Sequence, residues 1–308
     1  MLYGNYRFSC TLDGDAALPA YKGSTFRGGF GHGLRQAVCT MKGTDCGNCL
    51  LKGICTYVRI FEQGPDRHPL PFVMVPPGTG ETLLAKGSAF DCHLLLFGRA
   101  NQLLPCFIHA FEQMGRNGIG KHAHGRRAGF HLNRVTEGSR LIYSGENRCL
   151  EKHEAKEIRL APPGDSPGET GQVRITFETP LRIKFRNRLH DGLLFHILVR
   201  AMLRRVSALF STYGEGEPEL DYKTLVQKAM EVRLVENRLS WFDWKRYSLR
   251  QDQSMLMGGI LGSATYEGAL GAFLPLLDLC SKLHLGKQTS FGLGKFSYAS
   301  AQNAVAAP

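Results

Sequence analysis

The stretch LHLGKQTSFGLGKF, from Leu283 to Phe296, sets three glycines and two lysines between apolar residues. Glycine accepts positive φ and lets a ligand approach the backbone, and backbone N–H groups beside lysines favour an anion. The stretch therefore predicts a phosphate-binding loop. It fits neither nucleotide-binding fingerprint, because no Ser or Thr follows Lys287 or Lys295 in a G-x-x-x-x-G-K-[ST] frame and no G-x-G-x-x-G opens a helix. A phosphodiester backbone is a better candidate ligand than a nucleotide cofactor.

An earlier segment repeats this pattern. Gly118-Ile-Gly-Lys121 corresponds to Gly292-Leu-Gly-Lys295, 174 residues later, and each follows an apolar stretch with helical spacing. Each half of the chain reads as strand, helix, strands, helix and glycine-rich strand. That order indicates a split β-α-β, ferredoxin-like unit, with an antiparallel sheet and its helices on one face. The sequence thus predicts an α+β protein with a weak internal duplication.

The domain boundaries follow from composition. The segment RCLEKHEAKEIRLAPPGDSPGETGQ is charged and then rich in proline and glycine, which is typical of a linker or a long surface loop. We therefore predict an N-terminal ferredoxin-like domain at 1–145, a linker at 146–172, a C-terminal ferredoxin-like domain at 173–300 and a tail at 301–308.

The charge of the chain suggests a polyanionic partner. Among 308 residues the formal net charge is +11 and the pI is about 9.3, a balance that favours nucleic acid or an anionic membrane surface. No cationic segment followed by a long apolar run opens the sequence, and no stretch has the length of a membrane span. We therefore expect a cytoplasmic protein without a membrane partner, whose nine cysteines are free thiols or metal ligands.

Four of the cysteines form a cluster, Cys39, Cys46, Cys49 and Cys55, with the spacing C-x6-C-x2-C-x5-C. The central C-x2-C is the spacing of a metal knuckle, and four thiolates can close a tetrahedral zinc site. The irregular outer spacings leave an iron–sulfur cluster and unliganded thiols open as alternatives. The interpretation that we prefer is a small cysteine-rich insertion holding a structural zinc ion, which would have no open position for catalysis.

Two further segments combine cations with other features of nucleic-acid binding. NGIGKHAHGRRAGFHL contains Lys121, Arg126 and Arg127, and WFDWKRYSLRQ contains two tryptophans with Lys245, Arg246 and Arg250. Aromatic rings interleaved with cations suit base stacking beside phosphate contacts, but the same pattern occurs in strands with a buried aromatic face. We predict RNA contacts from the cations and burial of both tryptophans in the core.

The order of these motifs resembles a known family. The relevant stretches are YKGSTFRGGFGHGLR, the four cysteines with CTYVRIFE, GIGK with RR soon after, TPLRIKF, WFDWKRYSLRQ, GGILG and LHLGKQTSFGLGKF. Together they resemble the repeat-cleaving endoribonucleases of CRISPR systems, members of the RAMP superfamily that process precursor CRISPR RNA. The resemblance covers nearly the whole chain and is strongest from Thr179 to Phe296.

The resemblance implies two tandem ferredoxin-like (RAMP/RRM-like) domains that bind CRISPR repeat RNA and cut it without a metal cofactor. The RNA 2′-hydroxyl would attack the adjacent phosphate, leaving a 2′,3′-cyclic phosphate and a 5′-hydroxyl. This chemistry needs a proton acceptor, a proton donor and cations that stabilise the transition state.

The catalytic histidine of the family commonly lies on or before the first helix, where this sequence has His32. Gly31 and Gly33 beside it would leave room for a phosphate. Arg27 and Arg35 come within reach of it on helical geometry and are predicted to bind RNA. Tyr21 and Lys22 match by position the catalytic tyrosine and lysine that family members often add.

Other readings stay open. His32 could be a buried histidine bonded to a carbonyl, His122, His124 and His284 are weaker catalytic candidates, and His109 and His196 read as core residues. The alternative function is a non-catalytic RAMP subunit that holds guide RNA among other CRISPR effector subunits. A zinc-dependent hydrolase is disfavoured, because the sequence has no H-E-x-x-H motif.

Overall fold

The chain folds into two units, Met1–Ile158 and Arg159–Pro308, each built around its own antiparallel sheet. The computed structural model describes residues 1–62, 68–78, 80–123, 126–162, 170–185, 188–189, 193–248 and 253–300. None of the helices in these ranges combines the length and apolarity needed to span a bilayer.

Within the described residues, the first unit contains three α-helices and eleven strands. Its helices are α1 (Gly23–Val38), α2 (Thr56–Phe61) and α3 (Leu104–Asn117). Its strands are β1 (Leu2–Leu12), β2 (Ala16–Ala17), β3 (Phe72–Val75), β4 (Leu83–Leu84), β5 (Ala89–Phe97), β6 (Ile119–Ala123), β7 (Arg126–Ala128), β8 (Phe130–Glu137), β9 (Arg140–Ser144), β10 (Cys149–Leu150) and β11 (Lys156–Glu157).

The main sheet of this unit has the order β10-β9-β8-β1-β5-β3, and β11 pairs with β1. Its central part, β8-β1-β5-β3, has the ferredoxin-like arrangement in which the first strand lies between the last and the third. Alternate residues of β1 from Tyr6 to Leu12 are buried and share one core with the inner faces of α1 and α3. Period-two alternation in the strand and apolar helix faces thus produce a two-layer fold.

The predicted linker needs a correction over its first part. Cys149–Leu150 pairs with β9 and Lys156–Glu157 pairs with β1, so the segment up to about residue 157 belongs to the first unit. Its charged composition suggested a linker, but short, charged strands are also usual at sheet edges, where they discourage further pairing. Residues 163–169 and the predicted tail at 301–308 lie outside the described residues.

The second unit repeats the arrangement more simply. Its strands are β12 (Thr170–Leu181), β13 (Lys184–Phe185), β14 (Arg188–Leu189), β15 (Arg233–Ser248), β16 (Gln253–Ala269) and β17 (Phe296–Ser300), and its helices are α4 (Phe195–Tyr213), α5 (Tyr222–Met230) and α6 (Leu274–Leu283). The sheet order β15-β16-β12-β17 is the ferredoxin-like order again, read from the other edge. The predicted fold class is therefore confirmed.

The last helix of the second unit begins after a short turn. β16 continues to Ala269, a 3-10 turn covers Gly271–Phe273, and α6 begins at Leu274. Pro275 stands in the first turn of α6, where its missing N–H costs nothing. The second helix of the first unit, α3, starts in the same way, with a 3-10 turn followed by Leu104 and Pro105.

Candidate nucleic-acid interface

The glycine-rich loop connects α6 to β17 and has an unusual backbone. His284, Gln288 and three glycines have φ between 57° and 83°, in the left-handed region. A Cβ at Gly294 would lie 1.8 Å from the carbonyl oxygen of Leu285, and one at Gly286 would lie 2.4 Å from that of Arg182. Glycine at these two positions is therefore required by close backbone packing as well as by φ.

Hydrogen bonds hold the loop to the end of β12. The amide of Lys287 donates to the Arg182 carbonyl (2.8 Å) and the amide of Gly294 to the Pro180 carbonyl (3.1 Å). The buried hydroxyl of Thr179 donates to the Gly292 carbonyl and accepts from the Lys295 amide, both at 2.8 Å. Because these amides are used within the protein, the side chains of the loop have a larger role in anion binding than the sequence suggested. Thr179 is a supporting residue that sequence reasoning missed.

His284 has a structural role in this loop. Its side chain is buried, and its Nδ1 lies 3.1 Å from the carbonyl oxygen of Leu293, to which a protonated Nδ1 would donate. Burial lowers the pKa of His284 to about 3, so the imidazole is neutral at physiological pH. A buried neutral ring is poorly placed for acid–base catalysis on RNA. The open reading of His284 as a catalytic candidate is thereby weakened.

Arg205, on α4, is hydrogen-bonded to the residue that precedes the loop. Its guanidinium donates twice to the carbonyl of Leu283, the last residue of α6, at 3.2 and 2.9 Å. Burial lowers the pKa of Arg205 to about 10, which still leaves it charged near neutrality. A half-buried cation at a helix C-terminus stabilises the helix and fixes where the loop begins.

The two lysines of the loop have different surroundings. The Lys287 side chain is exposed, whereas Lys295 forms an ion pair with Glu178 at 2.7 Å. Lys287 takes part in no ion pair among the residues that the structure describes. Of the two predicted phosphate ligands, Lys287 therefore presents the more available charge.

The corresponding segment of the first unit is a short hairpin, β6–β7. Gly118 and Gly120 have φ of 74° and 85°, close to the values of Gly292 and Gly294. Lys121, Arg126 and Arg127 are exposed on this hairpin, as their predicted role requires. The side chain of His122 and the whole of His124 lie outside the described part of the chain.

His32 is exposed on α1, so its open reading as a buried histidine is wrong. The expectation that Gly31 and Gly33 make room for a phosphate is not met, because a Cβ at Gly33 would meet the Ala110 carbonyl of α3 and one at Gly31 the ring of Phe61. These two glycines allow close packing inside the protein. The open space is instead beside Gly28, one turn before His32, where a Cβ would have no neighbour within 4 Å.

The other predicted site residues near α1 make contacts within the protein. The Arg27 guanidinium stacks over Phe61 at 4.3 Å, and Arg35 donates to the carbonyl of Thr44 at 2.9 Å. Tyr21 is buried, which raises the pKa of its phenol, and buried Lys22 donates to the carbonyl of Gly78 at 3.0 Å. The structure thus brings Tyr21 and Lys22 into the interior rather than beside an exposed His32.

The long β15–β16 hairpin carries the aromatic and cationic stretch. Trp244 is buried and stacks with Phe242, with ring centroids 5.9 Å apart, as predicted. Trp241 is 40% exposed and donates from Nε1 to Asp243, so its predicted burial is wrong. Lys245 is exposed. The side chain of Arg246 and the whole of Arg250 lie outside the described residues, and their predicted RNA contacts stay predictions.

Among the other described cations of the second unit, two groups have different surroundings. On the open face of its sheet, Arg174 and Arg238 pair with Glu236, and Arg233 pairs with Glu267. Between α4 and α5, by contrast, an open groove of about 690 Å³ has Arg200, Arg204 and Lys223 in its lining. The three arginines on the sheet face are therefore paired with carboxylates, whereas Arg200, Arg204 and Lys223 of the groove form no ion pair within the described part of the chain.

Two histidines differ from expectation. His109, read as a core residue, has a side chain that is 51% exposed, because it lies on the outer side of α3. His196 is half-buried, and burial lowers its pKa.

All four cysteines of the cluster lie within the part of the chain that the structure describes. All four thiols are half-buried and free. No group of three or more His, Cys, Asp or Glu side chains within the described ranges is arranged to bind a metal ion. The predicted zinc site therefore stays a prediction.

Comparisons with known proteins agree with the two-unit organisation. Residues 1–155, half of the chain, match the AF_1859_N N-terminal domain, and residues 175–296 match the family described as CRISPR-associated endoribonuclease Cas6. An uncharacterized protein of Archaeoglobus fulgidus is 25% identical over 286 residues, covering 91% of this chain and 92% of its own length.

Solved structures share the fold at low sequence identity. A Cas6 product complex has a TM-score of 0.59 at 15% identity, covering 97% of this chain and 100% of the other. Thermus thermophilus Cas6 has a TM-score of 0.55 at 12% identity, covering 97% and 98%. A partial Cas6-RT-Cas1–Cas2 complex has a TM-score of 0.56 at 13% identity, covering 97% and 46%. The chain therefore belongs to the family of the AF_1859_N N-terminal domain, and the match of residues 175–296 to the Cas6 endoribonuclease family agrees with its resemblance to the repeat-cleaving nucleases of CRISPR systems.

Proposed function

We propose that this protein is an endoribonuclease that binds CRISPR repeat RNA and cleaves precursor CRISPR RNA. The observation that carries the proposal is the glycine-rich loop of the Cas6 domain, whose rigid backbone presents the exposed Lys287. Phosphate contacts to such cations give sequence-independent affinity and position an RNA strand. The exposed Lys121, Arg126 and Arg127 add similar contacts in the first unit.

Cleavage on this proposal needs no metal ion. The 2′-hydroxyl oxygen of the nucleotide before the scissile bond attacks the phosphorus, and the bond to the 5′-oxygen of the next nucleotide breaks. The 2′-hydroxyl loses a proton and the leaving oxygen gains one, so the products are a 2′,3′-cyclic phosphate and a 5′-hydroxyl. His32 is exposed beside open space at Gly28, and its imidazole can take or supply one of these protons.

The second candidate function is a non-catalytic RAMP subunit that holds RNA in an effector complex. The burial of Tyr21 and Lys22 favours it, because two of the three residues assigned to catalysis are then unavailable to RNA. A Cas6 chain also occurs in the Cas6-RT-Cas1–Cas2 complex, so association of this protein with other CRISPR proteins is part of both proposals.

Denaturing gels of repeat RNA incubated with the purified protein in EDTA separate the two functions. The nuclease predicts a single cut, a cyclic phosphate on the upstream product, and no cut when the scissile nucleotide carries a deoxyribose. Tight binding with no product over hours would instead favour the RNA-holding subunit. Cleavage that requires added magnesium would contradict the mechanism.

The role of His32 is tested by His32→Ala, with His109→Ala as a matched control because both are exposed histidines on helices. Removing a general acid or base should slow cleavage about 10²–10⁴-fold while RNA binding is retained. The control should cleave at the wild-type rate. Wild-type cleavage by His32→Ala would rule out this assignment.

A further inference from the structure

The segment from Cys39 to Cys55, between α1 and α2, is held by very little packing. Not one of its residues is buried. Met41, Leu50, Leu51 and Ile54 are exposed to between 38% and 92%. A segment with so little buried apolar surface gains almost nothing from the hydrophobic effect to offset its ordering entropy. Small segments of this kind are usually held by a metal or by disulfides.

The pattern of exposure within this segment singles out the cysteines. Only five of its residues are half-buried, namely Cys39, Thr44, Cys46, Cys49 and Cys55, and the rest are exposed. Thr44 is accounted for, because its carbonyl accepts a hydrogen bond from Arg35. The remaining four positions are the cysteines of the cluster. The segment therefore keeps its four thiols half-buried while its larger apolar side chains Leu50 and Ile54 are exposed to 92% and 74%, so these large side chains do not hold it in place.

The backbone places these cysteines at defined points. Cys39 is the residue that caps the C-terminus of α1, and Cys55 caps the N-terminus of α2. Cys46 begins a 3-10 turn and Cys49 follows its end, and the Asp45 side chain accepts from the Gly47 amide at 2.8 Å in the same turn. Two thiols thus lie on helix ends, and the other two flank a tight turn between them.

We propose that Cys39, Cys46, Cys49 and Cys55 bind one zinc ion, which clips the end of α1 to the start of α2. The thiols are not at ligand distances in this structure, so binding requires the turn to close toward the helix ends. That movement costs little, because the segment has no buried residue to displace. Four thiols would lose four protons to become the thiolate ligands of a tetrahedral ion.

The surroundings suit the charge of such a site. Zinc with four thiolates carries a net charge of −2, and Arg35 interacts with the side chains of both Cys39 and Cys46. A guanidinium at this position offsets part of the charge. The site would be closed, with no position for water or RNA, so this inference is independent of the proposed nuclease activity.

Metal content is the first test. Protein purified without chelators, and protein reconstituted with zinc under reducing conditions, should contain about one zinc per chain, and cobalt should give the visible spectrum of a tetrahedral thiolate site. Cys49→Ser should lower the zinc content at least about tenfold, since tetrahedral structural sites need all four ligands. Cys149→Ser, an exposed cysteine outside the cluster, should bind zinc like the wild type. Wild-type protein that holds no stoichiometric zinc or cobalt would overturn the proposal.

Limited trypsin digestion provides a second readout that uses the wild-type protein. Lys42 and Lys52 are exposed within the segment. Zinc should slow cleavage after both lysines about tenfold or more, because it removes the local opening that a protease needs. The same rate with zinc and after its removal by a chelator under reducing conditions would contradict the clip, even if the cysteine variants failed to fold.

Discussion

The glycine pairs Gly118/Gly120 and Gly292/Gly294 have similar backbone conformations, but they are connected differently to the helix before them. Both follow a helix that opens with a 3-10 turn and a Leu-Pro pair, and all four glycines have φ between 74° and 85°. In the first unit Gly118 caps α3 directly. In the second unit residues 284–291 intervene between α6 and Gly292, and they include Lys287.

The difference shows how a structural turn becomes a loop able to bind a ligand. The inserted residues need support that the short turn does not, and it comes from buried His284 and Thr179 and from half-buried Arg205. Each of these side chains is hydrogen-bonded to a backbone carbonyl that has no partner in a helix or sheet because the chain forms the loop there. The following predictions test this comparison, from the largest expected effect to the smallest.

Gly294→Ala should destabilise the second unit by about 3 kcal/mol or more, because a Cβ would meet the Leu285 carbonyl at 1.8 Å in a left-handed conformation. Gly120→Ala, its counterpart, should cost less, about 2 kcal/mol, since the nearest atom is the Ala17 carbonyl oxygen at 2.6 Å. Urea unfolding measures both. Tryptophan fluorescence reports the second unit alone, since Trp241 and Trp244 both lie there, and circular dichroism reports both units. An equal loss in the free energy of unfolding for Gly294→Ala and Gly120→Ala would contradict this expected difference.

His284→Ala should destabilise the second unit by about 2–4 kcal/mol through a lost buried hydrogen bond and a cavity. The histidine also makes stability depend on pH. Its folded pKa of about 3 lies below the unfolded value of about 6.5, so between these pH values the unfolded state binds the extra proton.

Stability of the second unit should therefore be unaffected by His284 above pH 6.5 and should fall by up to about 1.4 kcal/mol for each pH unit below it. Urea unfolding followed by tryptophan fluorescence at pH 7.5, 6 and 5 measures this slope in the wild type and in His284→Ala. In His284→Ala, the free energy of unfolding should no longer show the pH dependence that His284 contributes below pH 6.5. Identical slopes would mean that His284 is protonated in the folded protein.

Lys287→Ala should weaken RNA binding about three- to tenfold at low salt and reduce the salt dependence of log K by about 0.7. The counterpart Lys121→Ala should have a similar or smaller effect. Fluorescence anisotropy with labelled repeat RNA at several salt concentrations measures both, in a His32→Ala background so that the RNA stays intact. If Lys287→Ala binds RNA as tightly as the wild type, the loop does not contribute to RNA binding through this lysine.

Lys295→Ala should have the smallest effect on RNA binding, about twofold or less, because the Lys295 ammonium already pairs with Glu178. Glu178→Gln gives the complementary control, since it releases the lysine and should strengthen binding slightly. The same anisotropy series measures both variants. A loss for Lys295→Ala as large as that for Lys287→Ala would show that RNA displaces Glu178.

Much of the fold follows from local pattern. The order of strands and helices, the glycine pairs and the apolar helix faces predict two ferredoxin-like units, because periodicity and glycine conformation are local properties. The edge strands at Cys149–Leu150 and Lys156–Glu157 could not be predicted in this way. Both pairs of residues lie in a charged segment and become strands only through pairing with β9 and β1.

The sequence by itself determined which residues carry charge and which positions require glycine, and it placed His32 on the first helix. Only the tertiary structure decided which of these groups RNA could reach. Lys22 is buried, Arg205 is half-buried and bonded to a carbonyl, Lys295 is paired, and Gly31 and Gly33 face the protein interior. The physical reason is that burial and ion pairing depend on neighbours distant in sequence, and these neighbours set the solvation, and with it the chemistry, of each side chain.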